Sequence, residues 1–465
     1  MSCYESGKKT HGHHLAKEQF VDIAPGGNAP IDRSGRRFGP VWLVPGVSIA
    51  NGLSLAFAAY TTIGLLTFIA TGTPYVLNAN LGIPVADQGQ YTGDLQLLNE
   101  IVLLMVFAPA GILADRIGRR GVYAFGLMAM GLAYVLYPLA TSILELSVYR
   151  VIYAVGIGLA TGMLGTIIAD YPQDISRGKM VAMIGILNGV GVVTVTFTIA
   201  RLPGILADAG YPPLDAGRYA HWVAAGFCFL SAVVVALGLK KGAPVQREEQ
   251  PPLKETMLAG VKEGRNPRIA LAYACAFIAR SDLVVLGTFT TLWGATAGIE
   301  QGLDPARAAA RGAQIFGTAS LAALLWLPII GAIVDRMNRV SGVALCMSIA
   351  VVGFLSTLMI DDPLDRASLL WFGVLGIGQI SAFLGATVLI SSEAPARARG
   401  AVIGMFNVFG AIGIIVAVGV GGRLFDSVAP SAPFVFIGLI TVPVVIMALI
   451  VRWKSPGHMP TPAQG

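Results

Sequence analysis

The chain is patterned as long apolar blocks separated by short polar stretches. Twelve such blocks occupy residues 52–74, 93–113, 121–141, 144–168, 179–203 and 219–239. After a polar stretch from Lys240 to Arg268 come 269–294, 311–333, 341–360, 367–391, 400–422 and 432–452. A helix of about 20 apolar residues crosses a hydrocarbon layer about 30 Å thick. It also satisfies its own backbone hydrogen bonds there. Strands of membrane barrels alternate polar and apolar positions, and these blocks do not. Glycines recur at helix spacing, as in Gly158-x-x-x-Gly162, Gly185-x-x-x-Gly189 and Gly400-x-x-x-Gly404, which lets neighbouring helices approach closely. The pattern predicts an all-α membrane protein with 12 transmembrane helices and a lipid bilayer as its surroundings.

Composition agrees. Of 465 residues, 55% are hydrophobic and 12% charged, against about 25% charged in an ordinary soluble protein. A soluble enzyme, a nucleic-acid partner and a disordered chain are thereby excluded. The net charge of +6 matters less than where the charges fall. With a cytoplasmic N-terminus, 24 of the 32 Lys and Arg residues lie on the cytoplasmic side. Six lie outside (Arg201, Arg218, Arg307, Arg311, Arg366 and Arg423), while Arg150 and Arg280 lie within spans. This distribution follows the positive-inside rule, and an even number of spans returns the C-terminus to the same side. The expected location is the plasma (inner) membrane with both termini cytoplasmic. Cys3, Cys228, Cys275 and Cys346 are isolated and form neither a metal-ligand set nor a disulfide framework. His11, His13 and His14 lie in a polar N-terminal stretch, read as a solvated tail, that lacks a signal-peptide pattern. Neither a metal nor a cofactor is expected.

A repeat of long period divides the chain. Gly111-Ile-Leu-Ala-Asp115-Arg116-Ile-Gly118-Arg119-Arg120 follows span 2, and Gly331-Ala-Ile-Val-Asp335-Arg336-Met-Asn-Arg339 follows span 8, about 220 residues later. Arg177-Gly178 before span 5 is echoed at a similar offset by Arg399-Gly400 before span 11. The implied organisation is a tail (1–45), a six-helix bundle (46–239), a linker (240–268), a second six-helix bundle (269–453) and a short tail (454–465). Parallel repeats of this kind place a site near the bilayer midplane, between the halves.

Gly111-x-Leu113-x-Asp115-Arg116-x-Gly118-Arg119-Arg120 resembles the loop 2–3 signature of the major facilitator superfamily, G-x-L-x-D-R-x-G-R-[KR], and Gly331–Arg339 is similar to its weaker second copy. Arg150-Val-Ile-Tyr-Ala-Val-Gly156 resembles the family's span-4 motif, with Ala154 in place of a common glycine. Gly185-x-x-x-Gly189-Val190 departs from the G-x-x-x-G-P of drug/proton antiporters by the missing proline. The resemblance covers residues 40–455 in topology. It implies the major facilitator fold and transport of a small-molecule substrate, by a chain expected to be a monomer. It also implies a latch in which Asp115 faces the start of span 11 around Arg399-Gly400. Gly111, Asp115, Arg116, Gly118, Arg119 and Arg120 would form one side of that latch. Asp335, Arg336 and Arg339 would form the equivalent near spans 5 and 8, with Asp170 and Asp174 as counter-charges.

Ionisable groups inside hydrocarbon are costly and call for a reason. Glu100 lies 15 residues before Asp115, about 22 Å along a helix. Arg150 is near the outer end of span 4. Two accounts stand for this pair: an ion pair within the first half, or a titrating Glu100 beside a cavity-lining Arg150. Arg280 lies 12 residues after Arg268, about 18 Å into span 7, and Asp282 follows. Residues i and i+2 diverge on a helix, so either the helix breaks or each group has another partner. Arg280 is a substrate candidate. Asp282 and Glu100 are proton-coupling candidates, since a desolvated carboxylate can lose its charge in one state. Tyr60, Thr61, Tyr153, Gln379 and Asn407 are further substrate-contact candidates. Ser381 and Asn188 are polar neighbours, while Phe406, Phe409 and Trp293 are read as packing residues.

No phosphate-cradling G-x-x-x-x-G-K-[ST] loop appears, and no nucleophile has an evident base, so the chain is not read as an enzyme. The expectation is a secondary active transporter of a small organic solute, working by alternating access with protons as the coupling ion. Uptake of an anionic metabolite held by Arg150 and Arg280, efflux of an amphipathic compound, and a sensor that binds without flux are the alternatives.

Overall fold

The computed structural model describes residues 34–242, 253–395 and 398–456; the side chains of residues 108, 112, 115, 116, 174, 253–257, 281–283 and 399 lie outside that description. The first half contains α1 (Ile49–Tyr75), α2 (Gln88–Ile117), α3 (Arg119–Leu136), α4 (Ile143–Asp170), α5 (Arg177–Phe197), the short α6 (Leu202–Asp208) and α7 (Pro213–Gly238). A connecting helix α8 (Leu253–Glu263) leads to α9 (Pro267–Glu300), α10 (Pro305–Asp335), α11 (Arg339–Leu355), α12 (Ser368–Glu393), α13 (Arg399–Ser427) and α14 (Ala432–Lys454).

Among the described residues, eleven helices are long and apolar enough to cross a membrane. Helix α2 runs for 30 residues, opens with Gln88, Gln90, Asp94 and Gln96 and carries Glu100. The helix starts five residues before the apolar block that hydropathy reads from residue 93. Span 5 also differs from the apolar limits. Its α-helix stops at Phe197, and a single 3₁₀ turn (Ile199–Arg201) leads into α6. The break follows a β-branched run, Val192-Val193-Thr194-Val195-Thr196, that is a poor continuation for an α-helix.

The two halves repeat the same packing. Helix α3 packs on α4 and α7, α1 on α5, and α2 on α4; correspondingly α11 packs on α12 and α14, α9 on α13, and α10 on α12. One apolar core is drawn wholly from residues 269–451. Another lies within residues 41–239, and a third spans residues 65–228 but adds Ala306, Ala309 and Ala313 of α10. One departure from symmetry stands out: α9 packs along α10, whereas α1 and α2 hardly touch. The halves meet through α2 with α13 and α5 with α10, which are equivalent pairs under the repeat, and through α1 with α9.

Two ends of the molecule follow from this alternation. The terminal side carries the start of α1 and the end of α14, and the opposite side is called distal here. On the terminal side, the Arg268 Nε lies 3.2 Å from Glu393, joining the start of α9 to the end of α12. On the distal side, the Asn80 amide donates to the Pro138 carbonyl at 2.6 Å.

Two segments read from sequence as polar connections are structured. Residues 37–42 form a hairpin, β1 (Arg37–Phe38) with β2 (Val41–Trp42). Leu43 bridges to Pro172, and Val41, Leu43 and Val47 are fully buried. The end of the stretch read as the N-terminal tail (1–45) is thus packed, because Val41-Trp42-Leu43-Val44 is too apolar to stay in water. In the linker, α8 rests on α13, where a Cβ on Gly260 would meet the Ala401 carbonyl at 2.5 Å; the Tyr273 hydroxyl donates to the Gly260 carbonyl at 2.8 Å.

Candidate functional site

Near mid-depth, α2 and α4 bring together the charged groups of the first half. Glu100 and Arg150 do not touch directly; Gln96 joins them. Its amide nitrogen donates to Glu100 Oε1 at 2.8 Å, and its carbonyl oxygen accepts from Arg150. Asn99 also donates to Glu100 Oε1 at 3.3 Å. The Arg150 guanidinium lies 5.4 Å from the Tyr153 ring centroid, within cation–π range. Arg150 and Glu100 are buried, at 2% and 6% exposure. Of the two accounts left open by the sequence, a direct ion pair is not what forms: Gln96 bridges the two groups instead. Four residues separate Gln96 from Glu100, one helical turn on the same face, so the amide reaches both.

Helix α9 is unbroken through Arg280 and Asp282, so the helix break that their spacing allowed does not occur. Arg280 Nη2 donates to Asn407 Oδ1 on α13 at 2.8 Å. Its aliphatic stem lies over Gly410, where a Cβ would come within 2.6 Å of Arg280 Cδ. Arg280 and Asn407 are exposed although both sit deep within long apolar helices. Across the seam, Arg280 is close enough to Glu100 for their charges to interact. The Asp282 side chain lies outside the described residues.

The seam between the halves is tight at one end. At the distal side, Asp426 near the end of α13 accepts hydrogen bonds from the backbone N–H groups of Gly89 (2.9 Å) and Gln90 (2.6 Å), the first turn of α2. Arg423 pairs with Asp94 at 3.3 Å. A Cβ on Gly93 would meet the Val418 carbonyl at 2.7 Å, and one on Gly422 would meet the Gly89 carbonyl at 2.4 Å, so the two backbones are in contact. On the equivalent pair, Arg307 of α10 meets Asp208 of α6 at 2.8 Å, and Gly204 lies against Ala310. At the terminal side, Gly111, Gly400 and Gly404 of the first pair face open space, as do Gly178, Gly185 and Gly331 of the second. The two halves are thus in backbone contact at the distal end, whereas these terminal-side glycines meet no neighbour.

The sequence profile described as Major Facilitator Superfamily matches residues 52–418. The chain belongs to the major facilitator superfamily. It is therefore a membrane transporter by family and not an enzyme. It is 31% identical over 387 residues to magnetosome protein MamH of Paramagnetospirillum magneticum, a match spanning 80% of this chain and 86% of MamH. It is 28% identical to magnetosome protein MamZ of the same organism over 78% of this chain, which corresponds to 57% of MamZ. Its fold is similar to the crystal structure of the nucleoside transporter NupG, with a TM-score of 0.64 at 14% identity over 86% of this chain and 97% of NupG.

The major facilitator loop motif has a backbone reason for its second glycine. Gly118 separates α2 from α3 at φ 84°, a conformation that favours glycine. Arg119, which opens α3, is buried and paired with Asp170 at the end of α4; Arg120 donates to the Leu239 carbonyl at 3.5 Å. Asp335 and Arg339 pair with each other at 3.3 Å, and Arg336 is exposed. Arg119, Arg120 and Arg339 are held within their own half in this conformation, and Asp170 faces Arg119 rather than the second copy of the motif. The side chains of Asp115, Arg116, Asp174 and Arg399 lie outside the described residues.

The remaining candidates divide by their partners. Thr61 accepts from Ser231 of α7 at 2.9 Å and donates to the Phe57 carbonyl, which places it in a helix–helix contact. Tyr153 is buried and donates to the Leu66 carbonyl at 2.8 Å. Ser381 accepts from Trp326 at 3.0 Å, and Gln379 is buried. Tyr60 is half-buried, with its carbonyl against Gly191. Asn188 Oδ1 is buried without a partner among the described residues. Trp293 packs on Phe372 and Phe434, and Phe409 stacks on Tyr273 at 5.3 Å. The sequence reading missed Gln96, Asn99 and Gly410, and all of the distal clasp. The polar ladder Thr92, Gln96, Asn99, Glu100 on one side of an otherwise apolar helix was the available signal.

Proposed function

We propose that this major facilitator protein is a secondary active transporter that moves a small organic anion by alternating access, with protons as the coupling ion and Glu100 as their carrier. One observation carries the anion reading: a cation held at mid-depth, Arg280, exposed in the space between the halves and aimed by Asn407 and Gly410. A guanidinium binds a carboxylate with two parallel hydrogen bonds. Arg150 is enclosed and tied to Gln96, so its role is to position Glu100 rather than to hold substrate. Efflux of an amphipathic compound is less well supported, because Trp293 and Phe406 are buried in packing.

With both termini cytoplasmic, the orientation that the distribution of Lys and Arg supports, the tight distal seam would make this a conformation open to the cytoplasm. The latch of Asp115 and Arg116 against the start of α13 would form on closure of that side, with Arg119 anchored to Asp170 as its base. The plasma (inner) membrane is the default address. The 31% identity to a protein named for the magnetosome favours a second one, the magnetosome membrane, and fluorescence imaging of a tagged chain separates them.

The test is uptake into proteoliposomes under an imposed pH gradient, across a panel of small carboxylates and neutral analogues. Wild type should accumulate an anion, Arg280→Ala should not, and Arg280→Lys should retain a fraction. Accumulation of neutral solutes alone would overturn the anion reading, and binding without flux would identify a sensor.

A further inference from the structure

Along α2, the residues Gln88, Thr92, Gln96, Asn99 and Glu100 are all buried, and turns of 3.6 residues gather them within one arc of the helix. They descend from the distal rim to mid-depth, 12 residues or about 18 Å. Among the described residues, several of their polar atoms have no protein partner: Gln88 Oε1, Thr92 Oγ1 and Asn99 Oδ1, together with Nε and Nη1 of the neighbouring Arg150. Buried polar groups are nearly always hydrogen-bonded, to protein or to ordered water. Five orphaned atoms along one route are hard to account for as packing errors of an apolar core. They run from the acceptor of Gln88 to the hydroxyl of Thr92 one turn on, the acceptor of Asn99 two turns further and the donors of Arg150, polar atoms that waters between them could join.

We propose that this ladder is a narrow hydrated path that delivers protons to Glu100 from the distal side while the solute route is shut there. The inference rests on the reading of Glu100 as the proton carrier. The clasp of Asp426, Gly89, Gly93 and Gly422 excludes solute from the same rim; a proton needs no more than a file of hydrogen bonds. Among the described residues, the charged groups facing Glu100 are Arg150 on α4 and Arg280 on α9, while Arg423 and Asp426 on α13 are engaged at the rim. Gln96 closes the path at its inner end, since both its polar atoms are used by Arg150 and Glu100. Solute reaching Arg280 would come from the opposite side, so the two routes enter Glu100 and Arg280 from opposite faces of the membrane.

The experiment needs no substrate. Purified protein in nanodiscs is subjected to a pH jump, and protonation of Glu100 is followed by its infrared carboxyl band, identified by its loss in Glu100→Gln. Thr92→Val, which keeps shape but removes the hydroxyl, should slow protonation by about tenfold, the effect of about 1.4 kcal/mol on a barrier, with the final amplitude unchanged. Thr92→Ser should keep the wild-type rate, which separates a lost link from a misfolded helix. Gln88→Leu, at the outer end, should act like Thr92→Val. Unchanged rates in both Thr92→Val and Gln88→Leu would overturn the path and leave the anion-transport reading standing. Absence of solute flux in proteoliposomes with slowed protonation in the variants would do the reverse.

Discussion

The distal clasp makes a quantitative prediction about conformational balance. Asp426 receives two backbone N–H bonds at the first turn of α2. A hydrogen bond to a charged group contributes about 1.5–3 kcal/mol, and an anion at a helix N-terminus adds about 0.3–1 kcal/mol. Asp426 is half-buried, so water would take over part of this when the clasp opens. A net contribution of about 2 kcal/mol is a reasonable centre, equivalent to a shift of about 30-fold in the ratio of the two states. Asp426→Ala should lose all of it. Asp426→Asn, which keeps one acceptor but no charge, should lose about half, a shift of about fivefold. Spin labels at Gln90 and Val428, both exposed at the distal rim, would read the distance between α2 and α13 by double electron–electron resonance. The longer-distance population should grow in the order wild type, Asn, Ala. Asp215→Ala removes an acidic group that pairs with Arg218 inside its own half and should leave the distribution alone. If Asp426→Ala gives the wild-type distribution, the clasp does not hold the seam.

Further outcomes follow from the same contacts. Gly410→Ala places a methyl on the stem of Arg280, which can move; it should raise KM for the transported anion while leaving the thermal unfolding midpoint in detergent nearly unchanged. Gly413→Ala behaves oppositely, because its methyl would lie 2.0 Å from the Phe277 carbonyl. Forcing two backbones apart should cost about 1–3 kcal/mol and lower that midpoint. Gln96→Leu leaves Arg150 without its described hydrogen-bond acceptor and removes a donor to Glu100. Calorimetry should show a loss of about 1–3 kcal/mol or more. Thr61→Val removes a bond between α1 and α7, worth about 0.6 kcal/mol in a membrane interior, and solute flux should persist.

The spans and the twofold repetition were legible because hydropathy reports burial in lipid directly, and the Asp115 and Asp335 motifs repeat at one offset. Glu100, Arg150 and Arg280 were legible for a related reason: a charge inside an apolar block is conspicuous. Their partners were not. Gln96 is a neutral amide that any helix could carry, and its bridging role depends on where α4 places Arg150. The clasp was invisible because Asp426 lies more than 300 residues from Gly89 in the chain, and a glycine in a membrane helix does not announce which neighbour it admits. The hairpin at residues 37–42 left a signal that was passed over: the turn-forming Gly39-Pro40 just before the short apolar run Val41–Val44.

Helix α2 hardly touches α1, and it leans instead on α4 of its own half and α13 of the other. Its lower stretch carries the acid and the amide of the mid-depth cluster, while its upper turns form the seam. Folding strength, resting conformation and charge placement are thus written into a single thirty-residue segment. Changes there will rarely alter one of these properties without disturbing another, and adjusting them independently would require substitutions on the helices that flank it.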